Sequence, residues 1–402
     1  MRLQYGLVLR PIAQLGDRVE GFAVMHPWLF FVAAIVGFAS GSAFVPAGFL
    51  PVRTLLYRGP LGVAVLGLWA VSLVMLWLAG RRYRNETSAR KLVLIQLLAG
   101  GMVAFSAPVL LSSDPIAYVY YGVLALSGGN PWHPPAAANA PFSGVLVDAM
   151  RQLYVDPPVA SIYGPVFILV ERVLVQIVGS AHVVLLVFLQ RAIALAAACA
   201  VTLALPNDRR ARWALDPFVL FVTALDAHND IWFIALLAVM LGLRSKTWAS
   251  YAAAASAFAL AVATKAIAAF ALVLRPLPGA LGLVAVAAWY TFARGNWDVT
   301  PHVTQASLLL VREDGVPIWI VLTVRVLLSL GLLGIALALG RRRRDWDVQA
   351  TLLLVTLIPV IQPWYVLWAV FVDSATHPSK ALSSLVIIFE IGAVLLYIPA
   401  VL

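Results

Sequence analysis

Long apolar runs, separated by short polar stretches, follow one another along almost the whole chain. The longest, each close to the roughly 20 residues that a helix needs to cross a bilayer, are residues 28–45, 60–80, 92–111, 182–205, 318–340, 348–370 and 381–402. Between residues 213 and 293 the runs are shorter and polar residues interrupt them, which predicts tilted or broken helices beside a protein-lined cavity. The pattern predicts an all-α, polytopic integral membrane protein with about 11–12 membrane helices.

The composition agrees with this architecture. Of the 402 residues, 62% are hydrophobic and 11% are charged, and the mean hydropathy is +0.94. This balance excludes a soluble enzyme, and the single cysteine, Cys199, cannot form an internal disulfide. The formal net charge of +10 does not indicate nucleic-acid binding, because Lys and Arg cluster in short stretches between the apolar runs.

The basic clusters predict the orientation. They lie at residues 81–91, 209–212, 244–246 and 341–344, and the positive-inside rule places all of them on the cytoplasmic side. The first two clusters can share that side only if one apolar stretch between them does not cross. We assign this role to residues 161–178, which carry Glu171 and Arg172 in mid-run, as an interfacial helix. Residues 112–180 then form one long outer segment, and both termini are cytoplasmic.

Asp114 is the first candidate for chemistry, because it directly follows an apolar run on the predicted outer face. A carboxylate held there can act as a general base on a substrate hydroxyl. Alternatively, Asp114 caps the next helix, with Pro115 at its first position. The two roles are compatible.

A second outer turn, residues 226–230, places Asp226, His228 and Asp230 within five residues between two short apolar runs. Ionisable groups at a membrane boundary are functional candidates, although a simple polar turn is an alternative. Zinc or manganese could bind such residues, but the spacing matches no strong metal motif. We therefore expect no cofactor and do not favour a metal.

Cations within apolar surroundings indicate where an anion could bind. Arg191 lies inside a long apolar run, and Lys265 lies at the junction of two short ones. A buried charge there requires a partner, which is either Glu171 or Asp226, or the phosphate of a lipid. Further candidates in later segments are His302, Arg312, Trp364 and Tyr365, the last two of which could instead belong to an interfacial aromatic belt. No glycine-rich phosphate loop supports an ATP or nucleotide-sugar site.

Several short motifs, in order along the chain, resemble those of GT-C glycosyltransferases. They are Ser113-Asp114-Pro115 with Tyr118, Tyr121-Gly122, Asn130-Pro131-Trp132, Pro134-Pro135, Ser161-Ile162-Tyr163-Gly164-Pro165, Leu215-Asp216-Pro217-Phe218-Val219-Leu220, His228-Asn229-Asp230, Ala263-Thr264-Lys265 and Pro363-Trp364-Tyr365. In these motifs the chain resembles actinobacterial polyprenyl-phosphate-mannose-dependent mannosyltransferases. The resemblance covers residues 92–368, so we predict two additional spans in residues 1–91 and a single transferase module in residues 92–402.

The resemblance implies that Asp114 is the catalytic base of an inverting sugar transfer at the outer face of the cell membrane. The implied donor is a polyprenyl-phosphate sugar, with mannose expected, and the acceptor is a hydroxyl of a glycan or glycolipid. Together with the charge pattern, the resemblance leads us to predict these substrate-binding or donor-binding residues: Tyr118, Tyr121, Tyr163, Arg191, Asp226, His228, Asp230, Lys265, His302, Arg312, Trp364 and Tyr365. Two positions depart from the family pattern: Pro115 replaces a second acid, and Asp216 replaces an Asn.

A lipid or sugar transporter, or a flippase, is the alternative function, because broken helices with buried charges also occur in transporters. Such proteins usually contain two similar halves, and the sequence shows no such repeat.

Overall fold

The computed structural model describes residues 26–43, 60–83, 85–106, 114–135, 160–243, 247–292, 346–357, 363–376 and 379–401, together with a few isolated positions between them. Every regular element in these ranges is helical, which confirms the all-α prediction for this part of the chain. His302, Arg312 and the basic run at 341–344 lie outside the described residues.

The described part of the chain contains fourteen α-helices. They are α1 (Pro27–Ala43), α2 (Pro60–Gly80), α3 (Ala89–Ser106), α4 (Asp114–Leu126), α5 (Pro165–Val178), α6 (Val183–Ala204), α7 (Arg210–Ala214), α8 (Pro217–Leu220), α9 (Asp230–Gly242), α10 (Trp248–Thr264), α11 (Pro276–Phe292), α12 (Trp346–Leu357), α13 (Val366–Ala375) and α14 (Lys380–Val401). Five of them begin with proline, whose missing N–H costs nothing at the first position of a helix.

Irregular helical segments occur where the sequence predicted interruptions. A π-helical turn, Phe221–Leu225, follows α8, and a 3₁₀ helix, Ala266–Leu274, joins α10 to α11. The prediction of one membrane-spanning helix over the apolar run 348–370 was wrong. A 3₁₀ turn, Pro363–Tyr365, precedes α13 within that run, because Pro363 has no N–H to continue a helical hydrogen-bond ladder.

The core is formed largely by α6, α7, α9, α10 and α13, and its large buried side chains include Trp213, Phe233, Phe258 and Trp368. A second cluster lies between α4 and α5. These two helices approach closely at Gly122, where an added Cβ would lie 2.7 Å from the carbonyl oxygen of Glu171. The close approach holds α4, the helix that begins at Asp114, against α5.

One described helix, α6, is long and apolar enough to cross a membrane, and six shorter apolar helices accompany it in the described part of the chain. Many large apolar residues are exposed on the surface, among them Phe105, with 80% of its area exposed, and Ile177, with 76%. A surface of this kind is expected to contact apolar surroundings or a partner.

Candidate active site

The segment before α5 is docked on the end of α10. The amide of Gly164 donates a hydrogen bond to the carbonyl of Thr264 at 2.7 Å. A Cβ at position 164 would overlap the carbonyl oxygen of Ala263, so only glycine permits this approach. The docking brings Tyr163 beside Lys265, although the two residues are far apart in sequence.

The loop after α4 supports the same segment from the other side. The indole N–H of Trp132 donates to the carbonyl oxygen of Tyr163 at 2.8 Å, and the amide of Ser161 donates to the carbonyl oxygen of Pro131 at 2.9 Å. The side chain of Asn130 accepts from the Trp132 amide. The motif residues Asn130-Pro131-Trp132 therefore position Tyr163.

The turn of residues 226–230 has a strained backbone. Ala227 has a φ of +52°, an unfavourable left-handed conformation for a residue with a Cβ. The amide of His228 donates back to the carbonyl oxygen of Val222, within the preceding π-helical turn. Strain and π-helical turns both occur preferentially at functional sites. Here they direct three consecutive polar residues, His228, Asn229 and Asp230, into the protein interior, where all are buried.

Asp114 lies at the centre of the convergent residues. Its Oδ2 accepts long hydrogen bonds from the hydroxyls of Tyr118 at 3.5 Å and Tyr163 at 3.4 Å. The Nδ1 of His228 lies 3.6 Å from the same oxygen. The side chain of Asp114 retains 24% of its exposure, so it is held by its neighbours and remains accessible to a ligand.

His228 connects Asp114 to Asp226. Its Nε2 lies 2.6 Å from Oδ2 of Asp226, and both side chains are fully buried. The imidazole also stacks on the indole of Trp364, with ring centroids 3.9 Å apart and an interplanar angle of 23°. These contacts fix the plane of the imidazole between two carboxylates.

Lys265 and Asp230 form a buried ion pair next to this group. The ammonium lies 2.9 and 3.1 Å from the two carboxylate oxygens of Asp230, and the indole N–H of Trp368 donates to the same carboxylate at 2.8 Å. The rings of Tyr163 and Tyr365 lie 5.5 and 5.0 Å from the ammonium, close enough for cation–π attraction. The pair is thus enclosed by aromatic rings.

The charges of the site shift its pKa values. Burial raises the pKa of Asp114, and the positive charge of His228 opposes this effect. Burial by itself would lower the pKa of His228, but Asp226, Asp114 and Asp230 together outweigh it and raise that pKa. Burial and the Asp114 carboxylate raise the pKa of the Tyr163 hydroxyl, which keeps it a neutral hydrogen-bond donor.

Arg191 lies at the edge of the site rather than in its centre. Its guanidinium donates to the carbonyl oxygen of Ala104 at 2.8 Å and interacts electrostatically with Asp226. Glu171, the other partner considered from the sequence, instead accepts a hydrogen bond from Gln190 at 2.8 Å. Of the two acids considered for Arg191, the structure therefore associates it with Asp226.

The structure brings together most of the residues that the sequence singled out. Tyr118, Tyr163, His228, Asp230 and Lys265 surround Asp114 directly or through one contact. Tyr121 lies one layer further away, its ring centroid 6.3 Å from that of Tyr163. Whether these residues bind substrate remains a prediction.

Sequence analysis missed other residues that build the site. Trp132, Gly164 and Trp368 position its members, and Asn229 lies within it. Trp132, Gly164 and Asn229 belong to the quoted motifs, which was a signal, whereas Trp368 lies outside them. Only the tertiary contacts assign these residues a role. Over the described residues, no group of three or more His, Cys, Asp or Glu has the arrangement to hold a metal ion.

The geometry agrees with a comparison of the whole sequence with protein families. Residues 29–277 match the family model described as alpha-(1->6)-mannopyranosyltransferase, N-terminal domain. The match covers more than half of the chain. The protein belongs to this family of mannosyltransferases. It is therefore a glycosyltransferase, and the resemblance seen in its motifs is confirmed. No curated protein and no solved structure is similar enough to the chain to count as a match.

Proposed function

We propose that this mannosyltransferase transfers mannose from a polyprenyl-phosphate donor to a hydroxyl of a lipid-linked or cell-envelope glycan, at the outer face of the cell membrane. The observation that carries the proposal is the position of Asp114. Its carboxylate is partly exposed at the centre of a buried group of tyrosines, histidine and ion pairs. A base in this position can accept the proton of an incoming hydroxyl.

The proposed reaction is a single displacement. Asp114 accepts the proton of the acceptor hydroxyl, whose oxygen forms a bond to the anomeric carbon of the donor. The bond from that carbon to the phosphate oxygen breaks, and the polyprenyl phosphate leaves with the bonding electrons. Because the family name specifies an α-linked product, inversion at the anomeric carbon requires a β-linked donor.

Cations would stabilise the departing phosphate. Arg191 and Lys265 are candidates, because both are buried, Lys265 beside Tyr163 and Arg191 at the edge of the site, and His302 and Arg312 are candidates from the sequence. Lys265 pairs with Asp230. It would therefore stabilise the phosphate through the electrostatic field of the ion pair, or directly once the ion pair separates. Arg191, beside Asp226 and α3, is our preferred phosphate-binding residue.

A polytopic membrane architecture is part of the proposal. It is supported by the apolar runs of the sequence, by α6 and by the exposed apolar surface. The sequence predicted every described site segment on the outer side or at a membrane boundary. These segments are the start of α4, the start of α5, the turn before α9, the end of α10 and the start of α13. Their convergence at one place supports that orientation.

Transfer by the purified chain tests the proposal. The protein in detergent or liposomes would receive a short-chain β-linked polyprenyl-phosphate mannose and a mannosyl glycolipid acceptor, with the α-linked donor and a nucleotide-linked mannose as controls. We expect an α-linked product from the β-linked donor alone. Transfer from the nucleotide-linked mannose would contradict the donor assignment. Movement of intact donor across the liposome membrane without transfer would support the transporter alternative.

Labelling tests the orientation. A single cysteine within residues 128–140, introduced after Cys199→Ser, should react with an impermeant thiol reagent added outside intact cells. Reaction only after the membrane is opened would place the site on the cytoplasmic side and contradict the proposal.

A further inference from the structure

Asn229 is a buried amide for which the described residues provide no partner. Its side chain is 1% exposed, and neither the amide nitrogen nor the amide oxygen forms a hydrogen bond within the part of the chain that the structure describes. A buried polar group without a partner costs about 1–3 kcal/mol. Such groups are rare in folded proteins, and each requires an explanation.

The position of Asn229 makes this lack of partners unexpected. It is the N-cap residue of α9, where an asparagine usually accepts hydrogen bonds from the first amides of the helix. Here the backbone has φ −71° and ψ −11°, and the side chain makes no capping hydrogen bond. Capping geometry needs an extended backbone, so the strained turn at Ala227 has placed the amide outside its usual structural role.

The backbone of Asn229 is connected to the predicted base. Its amide N–H donates to the hydroxyl oxygen of Tyr118 at 3.4 Å, and that hydroxyl donates to Asp114. His228 and Asp230, its neighbours in sequence, contact Asp114 and Lys265. The unpartnered amide is therefore part of the same turn that contacts the centre of the site.

We propose that the carboxamide of Asn229 binds two adjacent hydroxyls of a hexopyranose, its oxygen accepting from one and its nitrogen donating to the other. A carboxamide presents one acceptor and one donor side by side, which matches a pair of neighbouring hydroxyls. Substrate would then supply the hydrogen bonds that the protein does not. The inference rests on the proposed function, and the pair belongs to the transferred mannose or to the acceptor glycan.

Asn229→Leu gives a test in which a structural role and a binding role predict opposite results. Leucine has a similar size and removes an unpartnered polar group, so the melting temperature should stay the same or rise. Loss of two hydrogen bonds to substrate should lower kcat/KM by about 10- to 100-fold. Ser374→Ala is the matched control: Ser374, at the far end of α13, is also fully buried without a described partner. It should leave kcat/KM unchanged.

Deoxy substrates identify the sugar that is bound. The wild type should use one or two deoxymannosyl donors, or deoxy acceptors, poorly, and Asn229→Ala should remove that penalty because the contact is already absent. The alanine variant also keeps the test valid if leucine prevents folding. A penalty shared by donor analogues places the contact on the transferred mannose, and one shared by acceptor analogues places it on the acceptor.

Several results would overturn the inference. One is a folded Asn229→Leu enzyme with wild-type kcat/KM, and another is an Asn229→Ala enzyme with every deoxy penalty intact. The rise in melting temperature caused by the mannosyl donor provides a readout independent of turnover. If the wild type is stabilised by the donor but does not transfer mannose, the proposed function is wrong while the binding inference can still hold. In that case the inference requires that Asn229→Leu reduce the stabilisation by donor. Absence of both turnover and stabilisation would overturn both proposals.

Discussion

The candidate active site and a second group of charged residues, around Arg212 and Asp373, are connected by two segments of the chain. The segment from Asp216 to Asp226 and the segment from Tyr365 to Asp373 each connect one group to the other. At the candidate active site, these segments contribute Asp226 and Tyr365. At the other end, Arg212 lies 2.6 Å from Asp373 and 3.7 Å from Glu390, and Ser383 donates to Asp373 at 2.6 Å.

Each group also contains an Asp-Pro pair at the start of a helix. Asp216 accepts hydrogen bonds from the amides of Phe218 and Val219 at 2.9 and 3.3 Å, and so acts as an N-cap of α8. Asp114 instead directs Oδ2 toward two tyrosine hydroxyls and His228. The same dipeptide thus caps a helix at one end of the molecule and forms the centre of a site at the other.

The comparison shows which features separate a stabilising network from a candidate site. Both groups bury charge, so burial alone does not distinguish them. Only the group around Asp114 combines, among the described residues, a partly exposed carboxylate, a strained turn and an unpartnered amide. A strained turn and an unpartnered amide reduce the stability of the free protein. A bound substrate can supply the hydrogen bonds that the amide lacks.

The largest expected effect separates the two Asp-Pro pairs. Asp114→Asn should lower turnover about 100- to 10,000-fold, the usual contribution of general base catalysis, with little change in melting temperature. Asp216→Asn retains a capping oxygen and should leave turnover near that of the wild type. Measurements of turnover and thermal unfolding on both variants check the prediction. Near-normal turnover by Asp114→Asn would remove its assignment as the base.

Arg212 tests the other group. Arg212→Gln removes the cation that faces Asp373 and Glu390, and should reduce the free energy of unfolding by about 3 kcal/mol. This is the low end of the range for breaking a buried ion pair, because the Arg212 side chain is 23% exposed. Kinetic constants of the folded fraction should not change. A higher KM for donor with unchanged stability would instead connect this group to the substrate.

Gly164 tests the docking of Tyr163 beside Lys265. Gly164→Ala places a Cβ against the carbonyl of Ala263 and should cost about 1–3 kcal/mol of stability, as overpacking usually does. Gly101→Ala, in α3, meets no atom within 4 Å and should be neutral or slightly stabilising. Thermal unfolding of the two variants compares them. Equal melting temperatures would show that the contact between these segments is not close.

The smallest expected effect is a change in pH dependence. The base must be ionised, and burial raises the pKa of Asp114, so kcat/KM should fall as the pH decreases through that raised value. His228 lowers the pKa of Asp114 through its positive charge. His228→Gln should therefore shift the acidic limb of the profile to higher pH. An acidic limb that stays in place would mean that His228 is neutral in the working enzyme or that Asp114 is not the titrating base.

The sequence determined the class of the fold and the neighbourhood of the chemistry. The length and spacing of the apolar runs alone predicted helices, and several of the described helices begin at a proline. Asp114, the turn at 226–230 and Lys265 stood out because polar residues are costly within apolar runs. The cost of a polar residue within an apolar run depends only on its neighbours in the sequence, so the sequence alone reveals it.

The tertiary structure decided what each polar residue contacts. The sequence offered Glu171 or Asp226 as the protein partner of each cation. For Lys265 both were wrong, because the fold pairs it with Asp230, whereas Arg191 interacts with Asp226. The fold also distinguished two identical Asp-Pro pairs and showed that Asn229 does not cap its helix. These outcomes depend on close approaches between segments distant in the chain, such as Gly164 against Ala263. Local sequence patterns do not specify such contacts, because packing across the core sets them.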